Sequence, residues 1–366
     1  MENEIVHKSP TSDSFIYPLR VLAFLSVFIS HGQIPEIGNL PGDPNENIYS
    51  IAKFLSNFWR GGGSGVALFF LISGFVITKA AMRETWKTFI ARRIFRILPM
   101  YFLALIAFWI LSWAVSNQPL PSLKVVVASL SLLGDFKGAP NQLVGVDWTL
   151  RIEILFYAFI ALGLISFALL KQAKNVRVVI LTLTGVLALI VPFLPFFPRG
   201  GWAGGYAAIF VPIFLGGMSL ALHSLKLISV PTLCGFLVLA YLSSATAQTE
   251  FRPDLHTTPF LLWAYGTFLL AYFFYPKTRV NSIMAWLSEL TYTFYLFHAF
   301  LFGYLYTLVR ETLLQLNMEL FGAEFFLGVI KLESMATLFL FVGIMHLLVK
   351  RIERPIIKWS RAKFSG

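Results

Sequence analysis

Five stretches of this chain, 97–123, 178–198, 227–249, 255–276 and 290–309, contain no Asp, Glu, Lys or Arg at all. A helix of about 20 apolar residues is what the hydrocarbon core of a bilayer demands. Lipid offers the backbone no hydrogen-bond partner, so such stretches are helical rather than extended. The composition points the same way, with 57% hydrophobic residues and 13% charged residues in 366, against roughly 25% charged in soluble domains. The chain reads as an all-α polytopic membrane protein, and a soluble globular fold, a disordered chain and a disulfide scaffold are excluded.

The hydropathy pattern gives about ten spans, near 15–31, 61–78, 98–116, 147–170, 178–197, 205–222, 229–247, 257–275, 283–308 and 332–348. The apolar stretch 124–134 is too short to cross and is expected to lie at the interface within a long loop. Twenty of the 29 Lys and Arg fall in one alternating set of loops, eight in the other, and Arg151 lies within a span. By the positive-inside rule the richer set is cytoplasmic, which puts both termini inside. Glu36, Asp43, Glu46, Asp135, Glu250, Asp254, Glu311, Glu319 and Glu324 all fall on the opposite face. Much of the net charge of +11 is therefore an orientation signal, and no nucleic-acid partner is expected. The bilayer is the expected partner, and the cytoplasmic (inner) membrane the expected location.

The N-terminal residues lack the order of a cleavable signal, so the first apolar segment is expected to be retained. No loop has room for a separate soluble domain. The expectation is one membrane-embedded domain over 1–366, with a polar tail at 1–14 and a basic tail at 349–366. Cys234 is the only cysteine, which leaves no disulfide framework, and it reads as a small core residue. No metal site is expected.

Ionisable side chains inside spans are costly and mark function. They are Arg20 and His31 in the first span, Arg151 and Glu153 in the fourth, Glu289 and His298 in the ninth, and His346 in the tenth. Arg20 and His31 lie eleven positions apart, close to three helical turns and about 16 Å of rise, so both belong to one face. A neutral imidazole suits a general base acting on a hydroxyl; the plainer reading is a helix-end histidine bonded to a carbonyl. Arg151 and Glu153 lie on different faces and need not pair. Glu153 needs a partner, with Arg20 or His31 available, or it is a structural clamp between helices.

The segment 79–97 carries six cations and one anion. Arg92 and Arg96 are i,i+4 neighbours, and clustered guanidiniums match phosphate geometry. An anionic-lipid or topology-setting patch fits these residues equally. The glycine-rich stretch 61–74 lacks the Gly-Lys-Ser/Thr ending of a phosphate loop and reads as a helix-packing surface.

Taken together, these pieces resemble the acyltransferase 3 family of integral membrane acyltransferases, which includes O-antigen and exopolysaccharide O-acetyltransferases. The resemblance runs from Leu19 to about Trp359. It rests on Arg20 followed, after ten intervening residues, by His31; on the element Gly65-VALFFLISGF with Ser73 and Gly74; and on Arg93, Arg96 and Pro99 with Arg92 ahead of them. It continues with Trp148-TLRIEILFY, which puts the family glutamate at Glu153; Tyr292-TFYLFH, with Tyr295 and His298; and the closing Glu353-Arg354-Pro355. Tyr17 stands where the family often has an acidic residue, and Arg151 where the residue is more often apolar or small. Some relatives carry an added hydrolase-like domain, which is not expected here.

The resemblance implies transfer of an acyl group, acetyl by preference, from cytoplasmic acyl-CoA to a hydroxyl of a sugar-containing acceptor. His31 would serve as base or acyl carrier, aided by Arg20 and Glu153. Arg92, Arg93 and Arg96 would bind the CoA phosphates, with Ser73 and Gly74 beside the donor. Tyr157, Arg151, Tyr295, His298 and Glu353 are further in-membrane polar candidates. Buried Arg, Glu and His also mark transport pathways, so a proton-coupled transporter or flippase is the rival class, ahead of a non-catalytic scaffold.

Overall fold

The computed structural model describes residues 13–31, 62–132, 141–170, 174–190, 202–252, 257–276, 280–320 and 326–364. The described residues are helical with no strand, and a helix occupies each of the ten expected segments: α1 Ile16–His31, α2 Gly62–Ala81, α3 Trp86–Ser116, a short α4 Leu123–Leu130, α5 Asp147–Leu170, α6 Lys174–Ile190, α7 Trp202–Ser224, α8 Val230–Phe251, α9 Thr257–Phe274, α10 Ser282–Leu320, α11 Phe326–Leu348 and α12 Arg354–Lys363. Seven are long and apolar enough to cross a membrane; α1, α6 and α9 are apolar but shorter in the residues that qualify. The protein is a multi-pass membrane protein. Apolar side chains such as Leu162, Leu169, Phe274 and Phe339 cover its outside, a surface stable only against lipid.

α2 is the centre of the bundle, packed against α7, α1 and α9. Its glycines make this possible, because backbones can approach closely only where Cβ is missing. A Cβ on Gly74 would lie 2.3 Å from the Phe214 carbonyl oxygen, and one on Gly217 would lie 2.1 Å from that of Leu71. On the other side, a Cβ on Gly65 would lie 2.4 Å from the Ala23 carbonyl oxygen. The glycine-rich stretch is thus the seam along which α1, α2 and α7 meet.

The structure adds detail to two segments and corrects one expectation. The segment 79–97 is mostly helix, since α3 begins at Trp86 and runs unbroken through Pro99; its start is capped by Thr85, whose hydroxyl accepts from the Thr88 amide. The basic tail is structured: a π-helical turn over Val349–Glu353 leads into α12, and the Trp359 ring meets Phe95 of α3 at 5.0 Å. Cys234 is exposed rather than in the core, because in lipid an apolar run has an apolar outer face too.

Three of the segments assigned to the basic face, the N-terminal one, 79–97 and 171–177, meet one another. Lys79 pairs with Asp13 at 2.7 Å, Arg92 pairs with Glu84 at 2.7 Å, and Arg177 donates to the carbonyls of Ala81 and Glu84. The stretch 124–132 holds α4, an eight-residue helix too short to cross; 133 and 134 lie outside the described residues.

Candidate functional site

The site is built on α1. Arg20, Ala23, Phe24 and Val27 follow at i, i+3, i+4 and i+7, one face of a helix, and all four line an internal cavity. His31 closes α1 and continues that register at i+11, while its side chain lies outside the described residues.

Two chambers adjoin at Arg20. One is polar, and Arg20, Arg93, Arg96, Glu153, Tyr157 and Ser73 contribute to its wall. The other is apolar, and Ala23, Phe24, Val27, Gly65 and Val66 contribute to its wall. Arg20, Phe69 and Thr291 border both and form the shared wall, or neck, where the two meet.

Local structure explains each placement in the polar chamber. Arg93 and Arg96 are i,i+3 neighbours on the first half of α3, one turn before Pro99. The Arg93 guanidinium lies 5.3 Å from the Phe89 ring centroid and 6.0 Å from that of Tyr157. Glu153 is buried on α5. Its Oε1 accepts from Tyr157 at 2.5 Å, one turn along the same helix, and from Ser73 of α2 at 3.1 Å. Three guanidiniums therefore converge from two helices on a chamber whose wall holds one carboxylate. Such a space favours an anion, and guanidiniums favour phosphate in particular.

Residues 15–349 match the family model described as an acyltransferase domain. The chain belongs to the acyltransferase 3 family. No curated protein and no solved structure gave a match. Membership supports acyltransferase activity in a multi-pass membrane protein, and the remaining family positions can be placed on the fold.

In this acyltransferase 3 chain the three arginines of the α3 motif part company. Arg92 binds Glu84 and donates to the Phe364 carbonyl at 3.3 Å, while Arg93 and Arg96 line the polar chamber. The pair sharing the chamber is thus i,i+3, not the i,i+4 pair read from the sequence, because α2 and α5 flank that side of α3. Ser73 lines the chamber, whereas Gly74 lies at the crossing with α7.

Arg151 and Glu153 stay apart. Arg151 pairs with Asp147 at 2.6 Å, one turn back on α5, both side chains almost fully buried. Asp147 also accepts from the Gln142 amide at 2.9 Å, and Gln142 accepts from the Trp109 indole at 2.8 Å. This network anchors a turn in which Leu143 and Val144 both take left-handed backbone angles, a costly conformation for a β-branched residue such as Val144. Tyr295 lines the apolar chamber; its hydroxyl lies 2.7 Å from that of Thr149, and its ring stacks on Phe69.

His298 is buried one turn further along α10, with Nδ1 2.7 Å from the Tyr295 carbonyl oxygen. Glu353 is buried in the π-helical turn and accepts from Thr293 at 2.5 Å. Glu289 pairs with Arg354, and His346 accepts from the Trp286 indole at 2.9 Å.

Sequence reasoning passed over Thr291, Phe69 and Asp147 as separate candidates. Tyr292 lay inside a quoted motif, and it lines the polar chamber while donating to the Ile97 carbonyl at 2.9 Å. Thr291 and Tyr295 are i,i+4 on α10, a signal the sequence did contain. Asp147 at the start of a span was equally visible.

Proposed function

We propose that this membrane acyltransferase moves an acyl group, acetyl by preference, from cytoplasmic acyl-CoA to a hydroxyl of a sugar-containing acceptor. The acceptor class is a cell-surface polysaccharide or a lipid-linked glycan. The observation that carries the reading is the convergence of Arg20, Arg93 and Arg96 on one chamber, at the start of the α1 face that ends at position 31. In this reading ten helices cross the inner membrane, both termini are cytoplasmic, and the arginine end faces the cytoplasm.

Arg93 and Arg96 hold the phosphates of the donor, and Glu153, fixed by Tyr157 and Ser73, keeps the guanidiniums from repelling one another. Arg20 at the neck stabilises the negative charge that develops on the thioester oxygen. His31 acts as general base. It takes the proton of the acceptor hydroxyl as that oxygen attacks the thioester carbon. The C–O bond forms, the C–S bond breaks, and the departing thiolate of CoA recovers the proton from the imidazolium. The apolar chamber borders α1 from Arg20 to Val27, on the face that His31 continues. An acyl-imidazole relay on His31 is the variant of this scheme in which donor and acceptor never meet.

The test is transfer of radiolabel from acetyl-CoA to a cell-envelope glycan extract by purified protein in nanodiscs. The wild type is expected to label the glycan, and His31→Ala to lose about 100-fold or more, the usual scale for a general base. Equal transfer by wild type and His31→Ala overturns the role of His31.

A further inference from the structure

The apolar chamber has a chemistry of its own. Carbon side chains dominate its wall, and its two hydroxyls outside the neck, Thr149 and Tyr295, are turned to each other at 2.7 Å. Arg20, Phe69 and Thr291 border it and the polar chamber alike, so the two spaces lie against each other across those side chains. Its volume is about 20 Å³, where one water needs roughly 10–15 Å³. A methyl or ethyl group fits, and a long alkyl tail does not.

The wall is also stiff. Val27 is buried. The Phe24 ring is wedged against Phe294 at 3.9 Å and stacks on Phe28 at 5.9 Å. Gly65 brings α1 onto α2 with no space to spare, since an added Cβ would also meet Val27 at 2.9 Å. These side chains cannot simply step aside for extra methylenes.

We propose that this chamber is the acyl pocket, and that Phe24 and Val27 set the length of acyl chain the protein accepts. The inference rests on the reading of acyl-CoA as donor. CoA runs toward Arg93 and Arg96, the thioester lies past Arg20 on the α1 face leading to position 31, and the alkyl end points between Phe24 and Val27. The accepted donors are short-chain acyl thioesters of the acetyl and propionyl class. Phe24 and Val27 act by exclusion, each ending the space available beyond the second or third carbon.

The test uses the full chain in nanodiscs and unreactive thioethers of CoA carrying ethyl, butyl or hexyl chains, with free CoA as reference, read as Kd by calorimetry. Wild type is expected to bind the ethyl compound at least about tenfold tighter than the hexyl compound, the scale on which apolar pockets reject extra methylenes. Phe24→Ala or Val27→Ala is expected to shrink that ratio by roughly fivefold with the Kd of free CoA unchanged, since each removes methylene-sized volume from the wall. Leu162→Ala, on the lipid-facing side of α5, keeps the wild-type ratio. Two independent wall variants guard against one failing to fold. Equal binding of ethyl and hexyl compounds by wild type, or wild-type ratios in both wall variants, overturns the inference while the donor reading stands. Failure of free CoA to bind wild type overturns the donor reading, and this inference with it.

Discussion

Tyr157 donates its phenol to Glu153 across 2.5 Å, one turn away on α5. The bond joins a buried carboxylate to a buried hydroxyl in a chamber where three arginines would otherwise face one another. It fixes the one acid among the described residues of that wall, so the arginine geometry depends on it.

Removing the phenol leaves Glu153 with one donor fewer in a buried site. Tyr157→Phe is expected to cost about 1–3 kcal/mol, the range for a buried acceptor losing a partner. Donor binding should weaken, with the fall read as the Kd of free CoA. Unchanged affinity and unchanged Tm together would show that Glu153 does not need the bond.

The two neighbouring arginines should behave differently. Arg93→Ala removes a charge from the polar chamber and should weaken CoA binding by roughly tenfold or more, as expected for loss of charge-assisted bonds to phosphate. Arg92→Ala breaks contacts to Glu84 and the Phe364 carbonyl instead, and should leave CoA affinity within about twofold, as for a change outside the polar chamber. Titrations at several salt concentrations separate a phosphate contact from a surface charge. Equal losses in the two variants would contradict this division.

At the α2–α7 crossing the backbones leave no room for a methyl group. Gly217→Ala should lower stability by about 1–3 kcal/mol or more through overpacking, because the neighbour is the Leu71 carbonyl rather than a flexible side chain. Gly303→Ala, where nothing lies within 4 Å, should be neutral. Thermal unfolding in detergent, followed by tryptophan fluorescence, compares them directly.

Asp147→Leu takes the carboxylate from a buried pair and should destabilise by about 3–5 kcal/mol, whereas replacing both partners by apolar residues costs far less. The double variant Asp147→Leu/Arg151→Leu should therefore recover much of the lost Tm. A double variant less stable than the single one would show that Arg151 has work beyond Asp147.

Helix positions were largely legible in the chain. Runs of apolar residues without charge leave no other solution in lipid, and the ten segments read from hydropathy each contain a helix. The face of α1 was legible too, since Arg20, Ala23, Phe24, Val27 and residue 31 follow helical spacing. The neighbours were not. Arg92, Arg93 and Arg96 look alike in sequence, yet Glu84 and the Phe364 carbonyl draw off Arg92. Nothing local distinguishes the carboxylate of Asp147, which pairs with Arg151, from that of Glu153, which meets Ser73 from 80 positions away.

Spacing along one helix depends only on chain geometry, which every residue carries with it. So the sequence by itself determined the membrane class, the helical segments and the α1 face. Which side chains share a chamber depends on how helices rotate and how closely they approach. At Gly65, Gly74 and Gly217 that approach is limited by backbone atoms of partners remote in sequence. Only the tertiary structure decided that Arg20, Arg93, Arg96 and Glu153 belong to one space, because that grouping exists only once the helices are packed.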